Sequence, residues 1–307
     1  MVLTEYNECA DLPDEFRSWC SGYDVLAINA NSRQLSPETA YRRIYRLAER
    51  IRGVPVEYVY KKMDSLLRGN PAAELDAVLD ALQADIALVV PSFPENGRKL
   101  INGVLVAPNA ERINVEEVFR SKSQYKTRSV MLPEIQKGPD YLSDVIMRGN
   151  RDGARVFILD AASEKDLETI KNAAKHMTEK IVFCGSAGFA KQLSDEKRFR
   201  KEDLPESGPT DAVLVVAGSR RRETAVQLRE ISKTFQTPIV TIDVSKVESE
   251  GREYEEEIVR CSDEVLRAAR EGRGPMILAV SSLFDAGRKR AAPKPDAREA
   301  ANISKAL

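Results

Sequence analysis

The sequence predicts an α/β protein built from two doubly wound, mostly parallel-sheet, Rossmann-like domains, the second of them incomplete. Three observations carry this. Short apolar runs such as Asp85 to Val90 (D-I-A-L-V-V) and Pro275 to Val280 alternate with longer stretches of helical spacing. Polar loops follow the ends of those runs, as parallel strands joined by crossover helices require. The polar stretch Arg200 to Thr210 (R-K-E-D-L-P-E-S-G-P-T), with two prolines and a glycine, is the best linker candidate. The expected division is a first domain over 1–204, a linker over 205–211 and a second domain over 212–307.

Element by element, Met1 to Thr4 reads as the end of a strand and Asp24 to Asn29 (D-V-L-A-I-N) as a buried strand. Ser36 and Pro37 cap and start a helix whose apolar spacing runs over Ala40 to Ile51. A short strand at Glu57 to Tyr60 enters the loop K-K-M-D-S-L-L-R-G-N; Asn70 is the expected N-cap of a helix from Pro71 to Leu82. The strand Asp85 to Val90 opens into P-S-F-P-E-N-G-R-K-L-I-N-G-V-L. Ala107 to Lys137 is irregular and charged, and reads as a lid over the strand ends. Strands follow at Arg155 to Leu159 and Lys180 to Cys184, the latter running into G-S-A-G-F and a helix. Beyond the linker come strands at Ala212 to Ala217, Pro238 to Val244 and Pro275 to Val280, with a helix at Tyr254 to Arg270.

Composition narrows the functional classes. The chain has 307 residues, 42% hydrophobic and 31% charged, with 47 basic against 48 acidic side chains. That suffices for two cores, and the charge balance predicts no nucleic-acid or membrane-surface partner. No apolar run reaches membrane-spanning length, and M-V-L-T-E-Y-N-E-C lacks the features of a secretory leader, so the expected location is cytoplasmic. Cys9, Cys20, Cys184 and Cys261 are scattered and read as reduced thiols; with His176 the single histidine, no metal ligands are assigned.

Chemistry concentrates in the polar loops. Lys62, Asp64, Ser65, Arg68 and Asn70 gather at a helix N-terminus, which attracts anions. Cations, a carboxylate and a hydroxyl at one such place suit an anionic, polyhydroxylated ligand; a solvated loop with a salt bridge is the plain alternative. Ser32 and Arg33 could reach a carboxylate, as could Arg98, or they could be a capping loop and a surface turn. Gly218 and Ser219, with Thr224 on the next helical turn, join a strand directly to a helix, as do Gly185 and Ser186. Both turns could receive phosphate or serve packing alone. Neither G-x-x-x-x-G-K-[ST] nor G-x-G-x-x-G occurs, which excludes a P-loop kinase and disfavours a dinucleotide oxidoreductase.

Together these motifs resemble the four-carbon acid sugar kinases. K-K-M-D-S-L-L-R-G-N is similar to the family's K-K-x-D-S-T-L-R-G-N, I-N-A-N-S-R-Q-L-S-P to N-T-D-S-R-x-L-x-P, P-S-F-P-E-N-G-R to P-A-F-P-x-x-G-R, and G-S-R-R-R-E-T-A-V-Q to G-S-x-S-x-x-T-x-x-Q. The resemblance implies an ATP-dependent kinase that phosphorylates the terminal hydroxyl of threonate, erythronate or 3-oxo-tetronate. It implies a sugar-acid-binding domain followed by a nucleotide-binding domain, with Mg²⁺ bridging nucleotide oxygens. By motif, Asp64 is the catalytic base, and Ser32, Arg33, Lys62, Ser65, Arg68, Asn70 and Arg98 face the sugar acid. Gly218, Ser219 and Thr224 face ATP, with Gly185 and Ser186 as further candidates. A homodimer is the candidate assembly. Asn31, Leu66 and Arg221 stand where the family has Asp, Thr and Ser. On this reading the family's Asp-Asp-x-Thr-Gly-Ala loop precedes the chain's first residue and its Gly-Gly-x-Thr-type loop lies past the last. A fragment, a degenerate paralogue or a non-catalytic sugar-acid-binding module is therefore weighed beside the kinase.

Overall fold

The computed structural model describes residues 2–3, 24–108, 111–194, 213–219, 222–248, 251–271 and 274–284. The chain divides into two units, Met1–Lys201 and Glu202–Leu307. The expected linker, Cys9, Cys20, Arg220 and Arg221 lie outside the described residues.

The first unit begins with β1 (Val2–Leu3), β2 (Ala27–Ile28), α1 (Pro37–Ile51), β3 (Val59–Lys62), α2 (Pro71–Leu82) and β4 (Ile86–Val90). A small antiparallel sheet follows, β5 (Lys99–Ile101), β6 (Val104–Val106) and β7 (Ile113–Asn114). The chain continues through α3 (Val115–Arg120), β8 (Thr127–Val130), α4 (Leu132–Ile135) and α5 (Pro139–Arg151). It ends in β9 (Val156–Leu159), α6 (Glu164–Lys175), β10 (Ile181–Gly185) and α7 (Ala187–Ser194). The main sheet is parallel throughout, in the order β3-β10-β4-β9-β8.

A parallel sheet covered on both faces needs strands that are apolar at every position. Ile86–Val90 and Val156–Leu159 satisfy this and are buried throughout. Their side chains alternate between two cores. Ala87, Val89 and Ile158 join Leu75, Leu79 and Phe119 on one face, while Ile86, Leu88, Val90, Phe157 and Leu159 join Ile146, Leu167 and Phe189 on the other. The register sets Lys62 of β3 opposite Gly185 of β10, and Gly185 opposite Val90 of β4. Three loops therefore leave the carboxyl edge side by side, where open α/β sheets bind ligands.

Four local expectations are corrected. The buried strand expected at Asp24 to Asn29 is a two-residue strand, with Ala27 exposed and Ile28 half-buried; among the described residues it pairs with Val2–Leu3, outside the main sheet. The strand expected over Glu57 to Tyr60 is shifted to Val59–Lys62, because pairing with β10 carries it as far as Lys62. Asn70 precedes α2, but its side chain makes no cap bond; its Nδ2 donates to the Leu35 carbonyl at 2.8 Å. The lid expected over Ala107 to Lys137 is instead structural. It contributes β8, the edge strand of the main sheet, and buries Val115, Phe119 and Ile135.

The second unit contains β11 (Leu214–Ala217), α8 (Arg222–Phe235), β12 (Ile239–Ile242), α9 (Val244–Val247), α10 (Arg252–Arg270) and β13 (Met276–Val280). Its parallel sheet has the order β11-β13-β12. Leu228 of α8 packs with Ile277 and Ala279 on one face, and Cys261 of α10 with Val240, Ile242 and Leu278 on the other. Glu257, buried in α10, accepts from the Asp243 amide at 2.8 Å and pairs with Arg260 at 2.5 Å. Among the described residues no helix is long and apolar enough to cross a membrane.

Candidate functional site

Asp64 is the hub of the loop that follows β3. Its Oδ1 accepts from Arg33 Nη2 at 2.9 Å and from Arg68 Nη2 at 2.8 Å. Its Oδ2 accepts from Arg68 Nε at 2.9 Å and from the Leu66 amide at 3.0 Å. Burial pushes the Asp64 carboxyl up, but the bonds from Arg68 and Leu66 and the charges of Arg68 and Arg33 outweigh it and bring the pKa down from 3.8 to about 2. The Asp64 side chain is only 8% exposed, whereas Arg33 and Arg68 are 56% and 58% exposed. A guanidinium has five N–H donors, so each arginine keeps donors for a ligand after serving Asp64.

A carboxylate held at a lowered pKa stabilises the fold above its unfolded pKa and ceases to do so as pH falls through the folded value. The Asp64 contribution is thus whole above about pH 4 and lost towards about pH 2. Screening of the exposed arginines reduces it, leaving at most about 2 kcal/mol. Denaturant unfolding is expected to show wild type more stable than Asp64→Asn by that margin at neutral pH, with the gap closing between about pH 4 and about pH 2.

The loop after β2 meets this hub from the other side. Gly69 adopts φ +89°, and a Cβ there would come within 3.2 Å of the Arg33 backbone, so the R-G-N turn needs glycine both to bend and to admit Arg33. Arg43 of α1 donates to the Ala30 and Asn31 carbonyls at 3.0 and 3.2 Å. Ser32 Oγ donates to Glu74 Oε1 at 2.8 Å, and Lys61 Nζ pairs with Glu74 Oε2 at 2.5 Å. Lys62 Nζ donates to the Met63 carbonyl at 2.7 Å; burial, helped by Lys61 and Arg33, lowers its pKa against the opposing pull of Asp64. Ser65 lies half-buried within the same loop.

Arg33, Asp64 and Arg68 are therefore in direct contact, and Ser32, Lys62, Ser65 and Asn70 belong to the two loops that bring them together. Arg98 sits in the loop after β4, where its backbone pairs with Phe93 and its buried Nε has no hydrogen-bond partner. Among the described residues that donor has no acceptor, and a buried N–H left unpaired is costly. The Gly185–Ser186 turn, named as a further nucleotide candidate or a packing turn, is tightly packed. A Cβ at Gly185 would stand 2.4 Å from the Val90 carbonyl oxygen. Ser186 is fully buried; its hydroxyl donates to the Ser92 carbonyl and its own carbonyl accepts from Tyr60. In the second unit Gly218 is exposed at the end of β11, and Thr224 Oγ1 donates to Ser219 Oγ at 3.0 Å.

Sequence reasoning passed over Glu74 and Asp160. Glu74 lies among the apolar positions of α2 and carries no local sign of its burial. Asp160 directly follows β9 and is 1% exposed; it accepts from the Asn102, Gly103 and Leu132 amides at 2.7, 3.0 and 3.1 Å. The available signal was the N-G turn of the β5–β6 hairpin, whose left-handed residues leave amides that need an acceptor.

Comparison with known proteins bears on what this arrangement serves. The family described as "Sugar-binding N-terminal domain" matches residues 9–193. D-erythronate kinase of Heliobacterium modesticaldum is 29% identical over 86% of this chain and 62% of its own length. D-threonate kinase of Salmonella typhimurium is 28% identical over 76% of this chain and 57% of its own. The chain thus spans about three fifths of the curated relatives it matches. A solved Haemophilus influenzae protein of the DUF1537 family shares the fold, with a TM-score of 0.62 at 20% identity over 92% of this chain and 71% of that one. With its sugar-binding domain matched across most of the first unit and its relatives named as kinases of four-carbon acids, the chain belongs to the four-carbon acid sugar kinase family.

Proposed function

We propose that the chain binds a four-carbon sugar acid (erythronate, threonate or 3-oxo-tetronate) and takes part in ATP-dependent phosphorylation of its terminal hydroxyl. The observation that supports this best is the pair of outward-facing guanidiniums, Arg33 and Arg68, anchored on one carboxylate. Two such forks suit a carboxylate ligand, which arginine binds bidentately. Arg98, with its unpartnered Nε, is assigned a second polar contact on the acid. Ser32, Lys62, Ser65 and Asn70 complete the wall through the loops they shape.

Asp64 is the candidate proton acceptor. With a pKa of about 2 it stays anionic at neutral pH but is a weak base, and the hydroxyl would have to displace one of its arginine donors. A weak base suffices where the transition state is loose and the proton leaves late. ATP is assigned to Gly218, Ser219 and Thr224, where an exposed glycine between strand and helix lets a phosphate approach the backbone. Mg²⁺, carried on the nucleotide's phosphate oxygens, would neutralise charge on the transferred group.

A binding-only module is the second reading, favoured by the occupancy of the Asp64 oxygens. Titration calorimetry with D-erythronate and D-threonate, together with coupled ADP release, separates the two. The kinase reading expects heat on binding and turnover with ATP. Binding without ADP release favours the module, and binding of neither acid contradicts both.

A further inference from the structure

We propose that Glu74 is a positioning residue, which orders the loop carrying Arg33 by holding Ser32 and Lys61. The inference rests on the sugar-acid reading for its ligand, but its geometry is independent of it. Glu74 lies in the first turn of α2, with its side chain 9% exposed. Its two oxygens take one partner each, Ser32 Oγ from the loop after β2 and Lys61 Nζ from β3. Three separate segments, α2, β3 and the Arg33 loop, therefore meet on one carboxylate.

A buried ion pair such as Lys61–Glu74 is weak evidence for stability, because desolvation offsets most of its attraction. Its effect here is orientation. Arg43 fixes the start of the loop through the Ala30 and Asn31 carbonyls, and Asn70 fixes its end through the Leu35 carbonyl. Between these braces, Arg33 is tied to Asp64 only on the solvent side, where salt and water weaken an ion pair. The bond from Ser32 to Glu74 is the inner hold on the same stretch. It adds to the Asp64 pair a second, sheltered constraint on the stretch that carries the Arg33 guanidinium.

Glutamine at this position keeps the size but not the pattern. Its amide oxygen can serve one donor, and its NH₂ would face the other; the Lys61 ammonium accepts no hydrogen bond, so the NH₂ must turn towards Ser32. The Ser32 hydroxyl then accepts from that NH₂ instead of donating to a carboxylate, so a charge-assisted bond is exchanged for a weaker neutral one of reversed direction.

The test is hydrogen exchange on the 307-residue chain, wild type against Glu74→Gln, followed by D-erythronate and D-threonate titrations. Exchange over 29–36 is expected to rise about tenfold while 75–82 in α2 keeps its protection. Affinity is expected to fall about tenfold, and the effects of Glu74→Gln and Ser32→Ala are expected to be non-additive, because both act on the same contact. Unchanged exchange over 29–36 overturns the proposal, as does equal loss of protection along α2, which would mark a merely structural role. Strictly additive affinity losses also overturn it. A wild-type chain that binds neither acid removes the ligand reading, and the exchange result then decides by itself whether Glu74 orders the loop.

Discussion

Arg68→Ala is expected to weaken binding of a four-carbon sugar acid by about 100-fold or more. The same change should alter unfolding free energy by less than about 1 kcal/mol. The contrast follows from where the side chain stands. Arg68 is 58% exposed, and its ion pair with Asp64 spans four residues within one loop, so little tertiary structure depends on it. A bound carboxylate, however, would lose a planar fork and face a site with one guanidinium fewer. Arg68→Lys keeps the charge without the fork and is expected to recover part of the loss. Calorimetry supplies the affinity and denaturant unfolding the stability. An unchanged affinity would remove Arg68 from the ligand site.

Asp160→Ala is the largest expected effect on the fold, a loss of about 3–5 kcal/mol in unfolding free energy. Asp160 is buried with no basic partner among the described residues, and burial raises its pKa while bonds from the Gly103, Asn102 and Leu132 amides pull the other way. Alanine would take that acceptor from all three amides and leave the buried Gly103 amide stranded in the interior. Two of them form the β5–β6 turn, at Asn102 with φ 51° and Gly103 with φ 71°. The third begins α4. The hairpin is also tied to the segment after β9 through the Leu100–Ala161 bridge, and β5 follows Arg98 directly, so loss of Asp160 loosens the support of that arginine. Asp160→Asn retains one acceptor and is expected to cost about 1–3 kcal/mol. Equal stability of wild type and Asp160→Ala would show that the amides find water instead.

The fold was legible where the sequence itself enforces it. Runs like I-A-L-V-V can be stable only when both faces are covered, so a parallel sheet followed from the strands alone. The helix from Pro71 was equally clear, because proline at the first turn fixes its start. Legibility failed where long-range pairing decides. Nothing local says that Thr127–Val130 would close the edge of the main sheet rather than join a lid, because that depends on β9. Asn70 has the chemistry of a cap, yet the Leu35 carbonyl, far back in the chain, takes its amide. The arginine–carboxylate hub shows the same division. Asp64 and Arg68 are neighbours in one loop and were placed at one site by motif, whereas the Ser32–Glu74 bond crosses 42 residues of sequence and has no local trace.

A crystal structure of the chain grown with D-erythronate tests the central claim most directly. The account predicts the ligand carboxylate within hydrogen-bonding distance of both the Arg33 and Arg68 guanidiniums, with Asp64 still joining the two. An acid bound elsewhere, or one that leaves both arginines facing solvent, would contradict it.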